Sequence, residues 1–345
     1  MKAKLTPLVL AIAAVSYQPM SLAASIDDIS INGFLSAGVG VSDNDEVSVG
    51  SIDEDASFKE DTTLGLQITA PVGNRFTLTG QLVARGTEDY EVDAAWAYAS
   101  FQATDELSLR MGRLRAPFFY YSDFLEVGYA YHWTRPPEEV YRIGFSSIDA
   151  VDATYTQEIG DVETSVQFYY GRLTEDLTIS GTVIPFDLTN FTGIVFNATL
   201  DSYSARLSYH QADIGAPSIG AGTSGTDVTS FIEAALVYDD GDNLALFEWT
   251  ATDHDAIALV DDVAWLFTYS RRFNDEISAH ITYANEDDER ESVAQPAMSD
   301  QESYIAGLRY DIESNVALKL EVQYKDEKVT DEDGMIYSAA VDMVF

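Results

Sequence analysis

The chain has 345 residues, 46% of them hydrophobic, no cysteine, and 58 Asp plus Glu against 19 Lys plus Arg, for a formal net charge of −39. A nucleic-acid partner would need clustered cations and is excluded by this balance. The 20 Tyr, 17 Phe and 4 Trp are too many for a disordered acidic tail, so the rings must be buried or set against an apolar medium.

Residues 1–23 read as a secretory signal peptide: Lys2 and Lys4 form a basic start, Pro7 to Val15 an apolar run, and Ser21-Leu22-Ala23 a small-x-small cleavage site. Losing those two lysines takes the charge from −39 to about −41. Past residue 23 no stretch approaches the ~20 apolar residues of a membrane helix. The remaining 24–345 is read as one exported domain that does without disulfide staples.

The period along this domain is two. Leu64, Leu66, Ile68 and Ala70 alternate with Thr63, Gly65, Gln67 and Thr69, and Val316, Leu318, Leu320, Val322 and Tyr324 do the same near the end. A soluble sandwich would bury the apolar face; a membrane barrel would turn it to lipid and fill the interior with water. The connections decide for the barrel, because short turns such as Val72-Gly73-Asn74, Gly160-Asp161 and Asn274-Asp275 alternate with long, mostly acidic segments. This pattern predicts strands near 29–41, 60–72, 74–85, 91–103, 105–113, 148–159, 161–172, 188–200, 202–212, 226–239, 241–252, 262–273, 275–285, 301–312, 314–326 and 335–345. The expected fold is therefore all-β: a transmembrane antiparallel barrel of about 16 strands.

At the C-terminus Tyr337, Ala339, Val341, Met343 and Phe345 alternate with Ser338, Ala340, Asp342 and Val344. A terminal Phe after such a strand resembles the assembly signal of Gram-negative outer-membrane proteins. With the signal peptide and the strand number, the whole mature chain resembles a general trimeric porin. The segment Met111-Gly112-Arg113-Leu114-Arg115-Ala116-Pro117 is similar to the approach to the constriction loop of that family, while its acidic Pro-Glu-Phe-Gly-Gly motif is absent. The resemblance implies an outer-membrane location, a homotrimer, Phe345 read by the barrel-assembly machinery, contact with lipid and lipopolysaccharide, and pore-lining roles for Arg113 and Arg115.

The third loop, Leu114 to Ser147, carries ten aromatic side chains from Phe118 to Phe145, wrong for a loop standing in water. Folded into the lumen it would pack its rings on the wall and present Asp123, Glu126, Glu138 and Glu139 to the channel, with Arg115, Arg135 and Arg142 as its cations. Covering the mouth or a neighbouring subunit is the other reading. Alternation turns Arg85, Arg110, Arg206, Arg309, Lys319 and Lys325 inward, since Arg at the lipid midplane costs ~2 to 4 kcal/mol. Each is read either as a solute-facing charge or as half of an ion pair with an inward acid such as Asp152, Glu163, Glu233, Glu321 or Asp342. Ala95, Ala97 and Ala99 are placed on the inward face with Asp93.

The expected function is passive diffusion of small hydrophilic solutes and ions, weakly favouring cations, across a field between wall arginines and loop carboxylates. A channel selective for a sugar or a small organic anion is the alternative, and an adhesion or receptor barrel a third class. His132, His210, His254 and His280 are scattered, without HExxH or a phosphate-cradling Gly-rich helix start, so neither an enzyme nor a cofactor nor a metal site is expected.

Overall fold

The computed structural model describes residues 28–345 except 46, 144, 180–181, 216–225, 256–260 and 290–298. The signal segment 1–23 and parts of the acidic loops expected at 213–225, 253–261 and 286–300 lie outside the described residues. Sixteen antiparallel strands follow one another: β1 (Ser30–Ser42), β2 (Thr63–Val72), β3 (Phe76–Arg85), β4 (Val92–Gln102), β5 (Leu107–Arg115), β6 (Ser147–Ile159), β7 (Val162–Ile179), β8 (Thr182–Leu200), β9 (Tyr203–Gly215), β10 (Thr226–Asp239), β11 (Asn243–His254), β12 (Asp261–Arg272), β13 (Ile277–Glu289), β14 (Asp300–Glu313), β15 (Val316–Glu327) and β16 (Glu332–Val344). Each pairs with its chain neighbours, and β1 pairs with β16 to close the barrel. Closure leaves no strand edge unpaired, the condition for sheet in a hydrocarbon medium.

The seam runs from Phe34 opposite Val344 to Ser42 opposite Ile336. Gly33 and Phe345 finish it by exchanging N–H···O=C bonds of 2.8 and 2.9 Å. The Phe345 ring lies over Gly33, where a Cβ would stand 2.3 Å from a ring carbon. At the opposite ends of the strands from the long loops, tight turns place Gly73, Gly160 and Gly241 at φ of 68°, 67° and 87°, a region glycine enters without steric cost.

Two features depart from the sequence pattern. Strands β7 and β8 stay paired out to Ile179 and Thr182, so the segment expected as a loop over 173–187 mostly continues this hairpin. In β4, Gln81 pairs with Trp96 and Leu82 with Ala94, leaving Ala95 as an extra residue. Such a bulge changes which face the following side chains take. Ala95 is buried inside, whereas Ala97 and Ala99 lie opposite outward Gly80 and Leu78. The expectation that all three alanines face inward holds for Ala95 alone.

Outside, apolar residues alternate along every strand, and aromatic rings join across strands. Phe247, Trp265, Tyr283, Tyr304 and Tyr324 form a continuous band over β11–β15 with centroid spacings of 4.9 to 6.4 Å. Near the short turns, Tyr203 with Tyr238 and Phe76 with Phe101 form contacts of the same kind. Bands of this sort mark the levels where lipid tails give way to headgroups.

Candidate pore and its inner loop

The segment 116–146 between β5 and β6 cannot continue the sheet, because Pro117 has no N–H to donate. Its rings instead enter one buried cluster: Phe118, Phe119, Tyr121, Tyr131 and Trp133 pack with Tyr169, Phe191 and Phe231 on the inward side of β7, β8 and β10. Polar anchors reach further round the barrel. Trp133 Nε1–H donates to Thr282 Oγ1 on β13 at 2.9 Å, and the Thr134 N–H and hydroxyl donate to Glu321 on β15 at 3.1 and 2.6 Å. The Tyr120 N–H and Tyr141 hydroxyl donate to Glu248 on β11 at 2.8 and 2.5 Å. Loop three is thus tied to inward residues of β11, β13 and β15, across the barrel from the strands that bear it.

The wall cations serve the same attachment. Lys319, 1% exposed, donates to the carbonyls of Gly128 and Trp133, each at 2.6 Å, and pairs with Asp342 at 2.8 Å. Arg309 donates to the Tyr129 and Tyr131 carbonyls at 2.8 and 3.2 Å and pairs with Asp311. Arg206 donates to the Pro117 carbonyl and lies 3.1 Å from Glu233. Lys325 pairs with Glu138 at 2.5 Å, and Arg85 holds Glu126 through Nη2 at 2.6 Å while Arg115 approaches the same carboxylate at 3.4 Å. Burial works to raise the Glu126 carboxyl, but the hydrogen bond and charge of Arg85, helped by Arg115, outweigh it and hold it below the usual range. Arg110 forms a bidentate pair with Asp152 on the neighbouring strand.

Several sequence expectations change here. Of the four loop carboxylates expected to face the channel, Asp123 is exposed, but Glu126 and Glu138 are spent on wall cations and Glu139 is fully buried against the Ser303 hydroxyl. The physical reason is desolvation: a carboxylate on a loop packed into the wall must find a partner there. Arg113 does not share the inward facing of the other wall arginines. It has the outward parity of Leu109 and Met111 and lies in register with exposed Asp149. Arg115, at the end of β5 in register with Ser147, is buried and reaches Glu126 inside. Arg85, Arg110, Arg206, Arg309 and Lys319 face inward as alternation requires.

Sequence reasoning missed the anchor between loops one and three, where Arg135 forms a bidentate pair with buried Asp61, both bonds 2.7 Å, and also donates to Ser338. It also missed the proximity of His132 and His280, whose ring centroids are 6.4 Å apart beside Glu321. Burial above all, then the positive fields of His280 and Arg309, pushes His132 down to about 3. Neither arrangement has a signature in sequence spacing.

The water-accessible part of the interior lies on the other side of the loop. Inward Gln67, Tyr98, Arg110, Gln167, Asn197 and Arg206 on β2–β9 are partly exposed, and the loop tip presents exposed Asp123 and 55%-exposed Phe124.

A closed sixteen-strand barrel with an apolar, aromatic-banded exterior and a polar interior is an outer-membrane channel. A family model described as Gram-negative porin matches residues 9–330, and the chain belongs to that family. Among solved structures, the outer-membrane channel DcaP of Acinetobacter baumannii is similar with a TM-score of 0.66 at 11% identity, covering 92% of this chain and 97% of that one. In-vitro folded OmpT of Vibrio cholerae gives 0.63 at 14% identity with coverages of 92% and 97%. The anion-selective porin from Comamonas acidovorans gives 0.60 at 13% identity with coverages of 92% and 99%. At such identities the likeness is one of fold. No curated protein sequence matches the chain.

Proposed function

We propose that this channel passes small hydrophilic solutes and ions by passive diffusion, with a weak preference for cations. The observation that carries the reading is the pairing of the wall cations. Arg85, Arg110 and Arg206 each meet a carboxylate within 3.1 Å, so an anion passing the loop tip finds no uncommitted guanidinium among them. Exposed Asp123 then stands as the acidic surplus at the tip, with Glu163 exposed further along the inner face. Opposed loop and wall charges that touch also produce a weaker transverse field than charges held apart, which limits the selectivity.

The test is the reversal potential across a planar bilayer in a KCl gradient at two ionic strengths. A modest cation preference that grows at low salt supports the reading, because the Debye length rises from ≈ 8 Å at physiological salt to about 30 Å at 0.01 M. Anion preference at both salts refutes it. A conductance that rises linearly with solute concentration favours general diffusion over a selective channel.

The same reading includes export by the 1–23 leader, assembly directed by Phe345 and a homotrimer, the state named for one solved form of Vibrio cholerae OmpT. The outer face of β2–β5 suits the subunit contact, since it sets exposed Leu64, Leu78, Leu82 and Met111 around the small Gly80, Ala94, Ala97 and Ala99 and carries no Trp or Tyr. A monomeric mass in mild detergent with channel activity retained excludes the trimer.

A further inference from the structure

Two cavities open between loop three and the wall of β8–β13, near the long-loop ends of those strands. The first, about 150 Å³, is walled by Phe118, Phe145, Phe191, Phe231 and Ile214. His210 is part of its lining and is 1% exposed; Nδ1 lies 2.7 Å from the Tyr169 hydroxyl and Nε2 has no partner. Whichever nitrogen carries the proton, a buried polar atom at this wall is left unpaired.

The second cavity, about 300 Å³, is walled by Glu139, Arg142, Asp262 and Asp288 with Thr250 and Thr252. Arg142 pairs with Asp262 at 2.6 Å, contacts Glu286 and lies 4.0 Å from Asp288. Three carboxylates around one guanidinium leave the cluster acidic on balance. Glu139, 0% exposed, accepts the Ser303 hydroxyl on one oxygen and has no partner on the other. Ile143, Phe231, Thr252 and His254 border both cavities, so the two adjoin in a single composite space, aromatic on one side of these residues and anionic on the other.

We propose that this space is a solute-binding site, and that it takes small organic cations carrying an aromatic or branched aliphatic body beside one ammonium group. The inference deepens the channel reading and rests on it for its place on the solute path. The ring would lie among Phe118, Phe191 and Phe231, while the ammonium would share the carboxylates that Arg142 now holds, with the unpartnered Glu139 oxygen buried behind them. An organic anion meets the acidic surplus. A metal ion would leave the aromatic end empty, and among the described residues no group of His, Asp and Glu has the geometry to hold one.

The test compares phenethylammonium, ethylammonium and phenylacetate, each added on the long-loop side of the protein in a planar bilayer, with calorimetry on the detergent-folded protein in parallel. Phenethylammonium is expected to dwell at least tenfold longer than either control. Phe191→Ala and Asp288→Asn should each lower the ratio of its dwell time to that of ethylammonium fivefold or more, in protein that retains heat-modifiable migration on gels. Equal dwell times for all three compounds, or ratios unmoved by both substitutions, overturn the site. A protein that binds phenethylammonium by calorimetry yet carries no current keeps the site and loses the channel reading; one that conducts and treats the three compounds alike does the reverse.

Discussion

The wall from β10 to β16 and the wall from β2 to β9 are built of the same alternating strands, yet inside the first is mostly dry, whereas the second is wet wherever loop three does not pack on it as it does at Tyr169, Phe191 and His210. On the dry side Glu248, His280, Lys319, Glu321, Lys325 and Asp342 are all buried under loop three or loop one, and most are bonded to a residue of loop three. On the wet side Gln67, Gln167, Asn197 and Arg110 keep contact with water. The polar face of a barrel strand is therefore not by itself a channel lining. Where a loop covers it, its charges become structural and each needs a partner; where the loop stands off, they face solute.

The largest effect that would break this contrast comes from the dry side. Lys319→Met leaves buried Asp342 without its cation and frees two loop-three carbonyls. Removing one partner of a buried pair costs about 3–5 kcal/mol. The expected outcome is a lower temperature for the heat-dependent gel shift and noisier single-channel current. Lys319→Met with Asp342→Leu should recover much of the loss, and a double variant no better than the single one would show that the pair is not the cause.

Next in size is a pH effect at Glu139. Burial, with the Glu138 charge beside it, pushes this carboxyl up to about 7. A raised acid holds its proton more tightly folded than unfolded. Its contribution is then complete below the unfolded value near 4.5 and is lost as pH rises through about 7. At 1.36 kcal/mol per pKa unit the full loss is about 3 kcal/mol. Glu139→Gln can still accept the Ser303 hydroxyl, so wild type and variant should melt alike near pH 4.5 and the variant should be the more stable at pH 8. Equal melting at both values would mean that Glu139 sits in more water than its burial indicates.

On the wet side the expected changes are in permeation. Arg110→Gln leaves Asp152 facing the gap without its guanidinium and should raise cation preference, read as a shift in reversal potential. Asp123→Asn, at an exposed position, should weaken cation preference and change stability by less than about 0.5 kcal/mol. A melting shift comparable to that of Lys319→Met would show that the loop tip also bears structural load, and the contrast between the two walls would fail.

The sequence by itself determined the strand number, the side on which the short turns lie and the facing of most charged residues, because a two-residue period separates lipid from interior without any knowledge of what fills it. It also marked loop three, whose rings had to be buried somewhere. Parity read strand by strand failed past Ala95, where one inserted residue reverses the facing of Ala97 and Ala99, since a bulge depends on pairing with β3 and leaves no mark in composition. Arg113 was carried inward by resemblance although its own alternation points out. Only the tertiary structure decided which charges are spent on one another. Arg135 meets Asp61 and Lys319 meets the Gly128 carbonyl across 74 and 191 residues of chain, and partners so distant are chosen by how the loop fills the barrel, where desolvation makes an unpartnered charge too costly to keep.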